Sequence, residues 1–426
     1  MHLGAIGARA LPTIALICCA AAAENPGAPS ELPWGADPPV GPALARAAAI
    51  ASLGRQLFVD PKLSASGRMS CATCHDPANH FAPSNDLPVQ KGGVRLDQSG
   101  TRASLALTYS ATTPFFTEHY YESEDEGDES LDQGPTGGRT WDGRVNRARD
   151  QAAIPLLARN EMANNDEAAV VARVARAPYA PQMRKLYGAD IFKDIHRAFL
   201  AIGDALETYQ EIPAEFSPFT SKYDAFLRGQ VRLTPKEARG LAAFNDPARG
   251  NCDHCHKSRL SPSGTLPMFT DYGFIAVGVP RNDKIPANAD PNYFDLGACG
   301  PLRKDLANRP EFCGLFKAPS LRNVATRRSF YHNGVFHTLE EAVAFYATRD
   351  TNPERWYPVD SDGKARKFND LPAQYQRNIN FEPPFDRQPG QPPALSDQDI
   401  RDIVAFLRTL TDGFDPLAQT AAQVLP

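Results

Sequence analysis

Two short runs, Cys71-Ala72-Thr73-Cys74-His75 and Cys252-Asp253-His254-Cys255-His256, constrain what this chain can fold into more than any other feature. Each places two thiols one helical turn apart, with a histidine directly after the second. That spacing lets both thiols add across the two vinyl groups of a haem, while the histidine comes to lie beneath the iron as its proximal ligand. Zinc is the alternative for a Cys/Cys/His cluster, but neither run has a suitably placed fourth ligand nearby. The reading is two covalent c-type haems, one held by Cys71, Cys74 and His75, the other by Cys252, Cys255 and His256.

The surroundings of the two runs repeat. An apolar stripe of Leu44, Ile50, Leu53, Leu57 and Phe58 predicts a helix over about 43–58, closed by Asp60-Pro61 before the first run. The second run also follows a helix, announced by Thr234 as N-cap, Pro235 at the first position and Glu237 at the third. The first cysteines of the runs lie 181 residues apart (252 minus 71), the mark of one architectural unit duplicated. A closing amphipathic helix begins at Ser396 and carries Ile400, Ile403, Val404 and Leu407 on one face. Strand alternation is scarce, so the fold class is mainly α: two cytochrome-c-like domains over 43–225 and 226–426, each with one haem.

The amino terminus differs from the rest. Arg9 is the only side-chain charge before Glu24, and an apolar run from Leu11 to Ala23 ends in small residues. This is the layout of a secretory leader over residues 1–23, cleaved after Ala23, which predicts export to the periplasm. Lipid anchoring at Cys18 or Cys19 is the rival, weakened because a cysteine rather than a small residue precedes Cys19. Residues 24–42, rich in Pro, Ala and Gly, read as an extended segment. No later stretch is long and apolar enough for a membrane span. A net charge of −5 argues against nucleic acid or anionic membrane as the main partner.

Beyond the leader and the two runs, Cys299 and Cys313 remain; in an oxidising compartment they form a disulfide or stay as two buried thiols. From Glu118 to Asp132 eight carboxylates crowd a stretch with no Lys or Arg. Such a run is either a solvated loop or a docking face for a basic electron-donor protein.

Several further segments carry a family likeness: Leu53–Pro61, Ser70–Asp76, Trp141-Asp142-Gly143-Arg144, Lys317–Val324, Phe330–Gly334 and Leu339–Val343. In order and spacing the chain resembles, from about residue 45 to 414, the bacterial di-haem cytochrome c peroxidases and the MauG-type enzymes. The resemblance implies an N-terminal peroxidatic haem, a C-terminal electron-transfer haem and a calcium ion between them. It implies hydrogen peroxide as substrate, with electrons from a small cytochrome or cupredoxin, or else a protein substrate. It also admits a homodimer.

Carried over position by position, Trp141 is similar to the tryptophan that passes electrons between the haems, and Gln151 and Glu161 to the distal-pocket pair. A glutamate near the open iron face can move a proton between peroxide oxygens; without the resemblance Glu161 reads as a surface residue. Where many relatives cap the first iron with a histidine, this chain has Lys91, and nearby His80 reads as a loop histidine, so the first haem is expected to be open. Where others use methionine at the second iron, this chain has Tyr346, as MauG-type enzymes do; Leu339, Val343 and Tyr346 share one helical face, so a core tyrosine is the plain alternative. Met268 is the other candidate and reads as packing. For calcium, the family's asparagine ligand is replaced near Leu107 or Thr108, and its carbonyl-donating Thr-x-Pro reads Arg327-Arg328-Ser329. Calcium is therefore admitted but weakened.

Overall fold

The computed structural model describes residues 41–121 and 132–417. The expected leader over 1–23, nearly all of the segment over 24–42 and most of the acidic stretch lie outside the described residues. Residues 43–426 form one unit by their contacts.

Helices dominate, and two of them open on caps that the sequence predicts. Thr234 accepts from the Glu237 backbone and Glu237 returns the bond, opening Pro235–Asn245. Ser396 and Asp399 do the same for Asp397–Arg408, whose Ile400, Ile403, Val404 and Leu407 are buried. A third box, Thr338 with Glu341, opens Leu339–Thr348. The helix before the first run spans Pro42–Val59 and buries Ile50, Leu53, Leu57 and Phe58. Leu44, expected on that stripe, is 66% exposed, because the first two turns of the helix extend past the core. Among the described residues the ladders are two short antiparallel pairs, Lys91–Gly92 with Gln98–Ser99 and Phe274–Ile275 with Phe316–Lys317.

Buried apolar residues gather in two large clusters, one drawing on 50–216 and the other on 223–410. Each contains a helix crossing made possible by a glycine. A Cβ built on Gly54 would stand 1.9 Å from the Ala205 carbonyl oxygen in Ile195–Gln210, and one on Gly240 would stand 1.9 Å from the Asp402 carbonyl oxygen in Asp397–Arg408. Mid-helix glycine ordinarily costs about 1 kcal/mol of helix propensity, so its presence at both crossings reflects backbone contact that no side chain permits. A smaller cluster surrounds the Cys299–Cys313 disulfide, which the structure forms.

Candidate functional site

The four run cysteines are free thiols, and burial pushes each of them up to about 12. In both runs the histidine amide closes a helical turn onto the first cysteine, His75 to Cys71 at 2.9 Å and His256 to Cys252 at 2.8 Å. The ring Nδ1 of His75 then lies 3.3 Å from the Phe81 carbonyl, and that of His256 lies 2.9 Å from the Phe269 carbonyl. A carbonyl only accepts, so the proton sits on Nδ1 and the Nε2 lone pair is left for a metal. Burial lowers His75 to about 4 and also lowers His256, so both rings are neutral at neutral pH.

At the first run the notable neighbour is Glu161. Glu161 is half-buried, and its carboxylate is near enough to Cys71 and Cys74 to help raise both thiols. Burial raises its pKa, and the nearby Arg144 offsets this in part. The backbone fixes its place: Gly93 donates to the Glu161 carbonyl at 2.7 Å, and a Cβ on Gly92 would come 2.7 Å from the Glu161 Cα. Lys91, beside Gly92, is exposed. His80 sits in a left-handed conformation at the end of the Pro77–Asn79 turn. Gln151 is half-buried on the Ala148–Leu157 helix.

The second run opens onto a cavity of about 270 Å³ lined by Cys252, Cys255, His256, Leu339, Val343 and Tyr346. Met268 is not part of that lining. Tyr346 is stacked between Tyr331, at 5.9 Å between ring centroids, and Phe385, at 5.2 Å. The Arg349 guanidinium lies 3.7 Å from the centroid of the Phe385 ring. Burial raises the Tyr346 phenol, with the two cysteines adding to the rise. Tyr331 lies in the Phe330–Gly334 segment that carries the family likeness, whereas Phe385 gave no signal in the sequence, since an aromatic in a loop carries no periodicity.

Trp141 packs beside the second run. It lines the second cavity, and its Nε1 donates to the Ala103 carbonyl at 2.8 Å while its own carbonyl accepts from Lys317 at 2.9 Å. Next to it Asp142 is fully buried between Arg102, at 2.7 Å, and Arg144, at 2.9 Å, and Arg102 also pairs with Asp295 at 2.6 Å. The carboxylate stays charged because burial, which opposes it, is outweighed by the two guanidiniums.

These residues fit two haems: paired free thiols, a histidine lone pair at each run, and at the second run an apolar cavity facing Tyr346. They do not fit the calcium ion that the resemblance implies. Arg327 directs its guanidinium at the carbonyls of Ser104 and Ser329, the backbone oxygens of the region where that ion would bind. Among the described residues no group of three or more His, Cys, Asp or Glu could hold a metal.

Residues 48–232 match the family described as di-haem cytochrome c peroxidase. The chain is 34% identical over 388 residues to the methylamine utilization protein MauG of Paracoccus denitrificans, covering 87% of this chain and 91% of the relative. The chain belongs to the di-haem cytochrome c peroxidase and MauG family. Two haem cofactors and an oxidoreductase activity come with that membership. The solved diheme peroxidase BthA of Burkholderia thailandensis shares 38% identity and a TM-score of 0.76, covering 85% of this chain and 86% of that one. A cytochrome c551 peroxidase of Nitrosomonas europaea is 28% identical, over 69% of this chain and 71% of its own length. Among the described residues no helix is long and apolar enough to cross a membrane.

Proposed function

We propose that this family member is an exported, periplasmic peroxidase of the MauG-like branch, with haem c bound covalently through Cys71 and Cys74 and through Cys252 and Cys255. When bound, the two haems supply the iron that reacts with hydrogen peroxide and the redox capacity to store and pass electrons. His75 and His256 would hold the two groups, each ring fixed by its Nδ1 bond to a carbonyl. Glu161 takes a proton from one peroxide oxygen and returns it to the other, and burial tunes its carboxyl toward that exchange. Gln151 assists in orienting peroxide. Trp141 passes oxidising equivalents between the pockets, held by Ala103 on one side and Lys317 on the other. Tyr346, which lines the same cavity as His256, would serve the second group as a hard, anionic ligand that favours its oxidised state.

The observation that carries this reading is the inequality of the two pockets, an acid beside the first run and a stacked tyrosine in the second. A purely electron-carrying protein would have no use for a half-buried glutamate beside one of its runs. Electron paramagnetic resonance of the ferric protein tests it: one high-spin and one low-spin haem are expected, and two low-spin signals would sink it. The similarity to MauG over most of both chains favours a second reading, in which the oxidant is spent on a protein partner rather than refilled by a small cytochrome or cupredoxin. Peroxide turnover with a reduced cytochrome separates the two.

A further inference from the structure

Residues 103–107 are gripped from both halves of the chain. The Ala103 amide donates to the His332 carbonyl at 2.7 Å, and its carbonyl receives Trp141 Nε1 at 2.8 Å. Leu107 donates to the Phe81 carbonyl at 3.3 Å, the oxygen that His75 Nδ1 also faces. The Leu105 carbonyl is a further backbone partner of the His75 ring. This one segment therefore touches the first haem's histidine, the tryptophan between the pockets and the loop that leads to Tyr346.

Arg327 secures its centre. Nη2 donates to the Ser104 carbonyl at 3.0 Å and Nε to the Ser329 carbonyl at 3.4 Å. The side chain is half-buried, and desolvation lowers its pKa to about 10, so it is a cation at neutral pH. Its two hydrogen-bond partners are carbonyl oxygens. Those oxygens are the hard donors that calcium would gather, and calcium needs six to eight of them at close range. A guanidinium instead satisfies two or three with directed N–H bonds and repels a second cation.

We propose that Arg327 replaces the calcium ion of this family, a covalently tethered cation that ties Ser104 to Ser329 and thereby positions His75 and Trp141. Arg327 is thus a positioning residue. The proposal rests on the presence of two haems, which the family membership supplies, and not on the peroxidase chemistry. A failure of either leaves the other standing.

The test uses the full-length holoprotein. Wild type should hold only substoichiometric calcium by elemental analysis, and its ferric resonance spectrum should be unchanged by EGTA and by added calcium. Arg327→Ala should lose the wild-type signature of the first haem, and Arg327→Lys should recover part of it. One tightly held calcium per wild-type chain, with a spectrum that EGTA alters, overturns the proposal, as does an Arg327→Ala spectrum identical to wild type. Should Arg327→Ala not fold, Arg327→Gln keeps an N–H donor at the level of Nε without the charge and is read the same way, and the wild-type metal content decides independently.

Discussion

The two halves share a frame and differ in what they aim at it. In each, a helix ahead of the Cys-x-x-Cys-His run crosses a later helix at a glycine, Gly54 against Ala205 and Gly240 against Asp402. In each, the histidine ring is locked by a carbonyl. The first half then sets Glu161 near its cysteines, on a loop braced by Gly92 and Gly93. The second sets Tyr346 between two aromatic rings on a capped helix. A repeated frame thus carries both histidines, while the residue near each run sits on a loop in one case and on a helix in the other.

The sharpest way to break this comparison is Glu161→Gln. Peroxide reduction should fall by about 10²–10⁴-fold with the low-spin signal of the second haem intact. In wild type the carboxylate must accept the first proton, so activity should be lost as pH falls through the Glu161 pKa. That acid limb should lie above pH 4.5 because burial raises the group, and it should vanish in the variant. An unaltered pH profile would remove Glu161 from the proton path. Tyr346→Phe addresses the other half: the low-spin signal should change or disappear while the high-spin signal stays. Identical spectra would return Tyr346 to an ordinary core role.

Smaller effects probe the frame. Replacing Cys299 and Cys313 by serine should cost about 3 kcal/mol by the loop-closure argument, read by denaturant unfolding, with both haem spectra retained. The disulfide has no counterpart among the described residues of the first half. Gly54→Ala and Gly240→Ala should each cost about 1–3 kcal/mol through overpacking, and a tolerated alanine at either site would mean that the crossings are not equivalent. Thermal unfolding of the two variants side by side settles it.

Much of this was legible in the sequence because it is local. Caps at Thr234 and Ser396, the stop at Asp60-Pro61 and the paired runs depend on neighbours within a turn or two, and the structure matches them. Leu44 shows the limit of periodicity: a stripe says which face could be buried, and only the packed partner says how far along the helix burial extends. The glycines at 54 and 240 were a signal left unread, since two helix-weakening residues in corresponding helices ask for a contact.

The sequence by itself determined two Cys-x-x-Cys-His runs, a repeated helical frame and the candidate residues, because each is written in short spacings. Only the tertiary structure decided that Cys299 meets Cys313, that Glu161 is drawn in beside Cys71 and Cys74, and that Arg327 spans Ser104 and Ser329. The last two join residues brought together from distant stretches of the chain. Loop paths, desolvation and the direction of a long side chain arise from packing that no local pattern records.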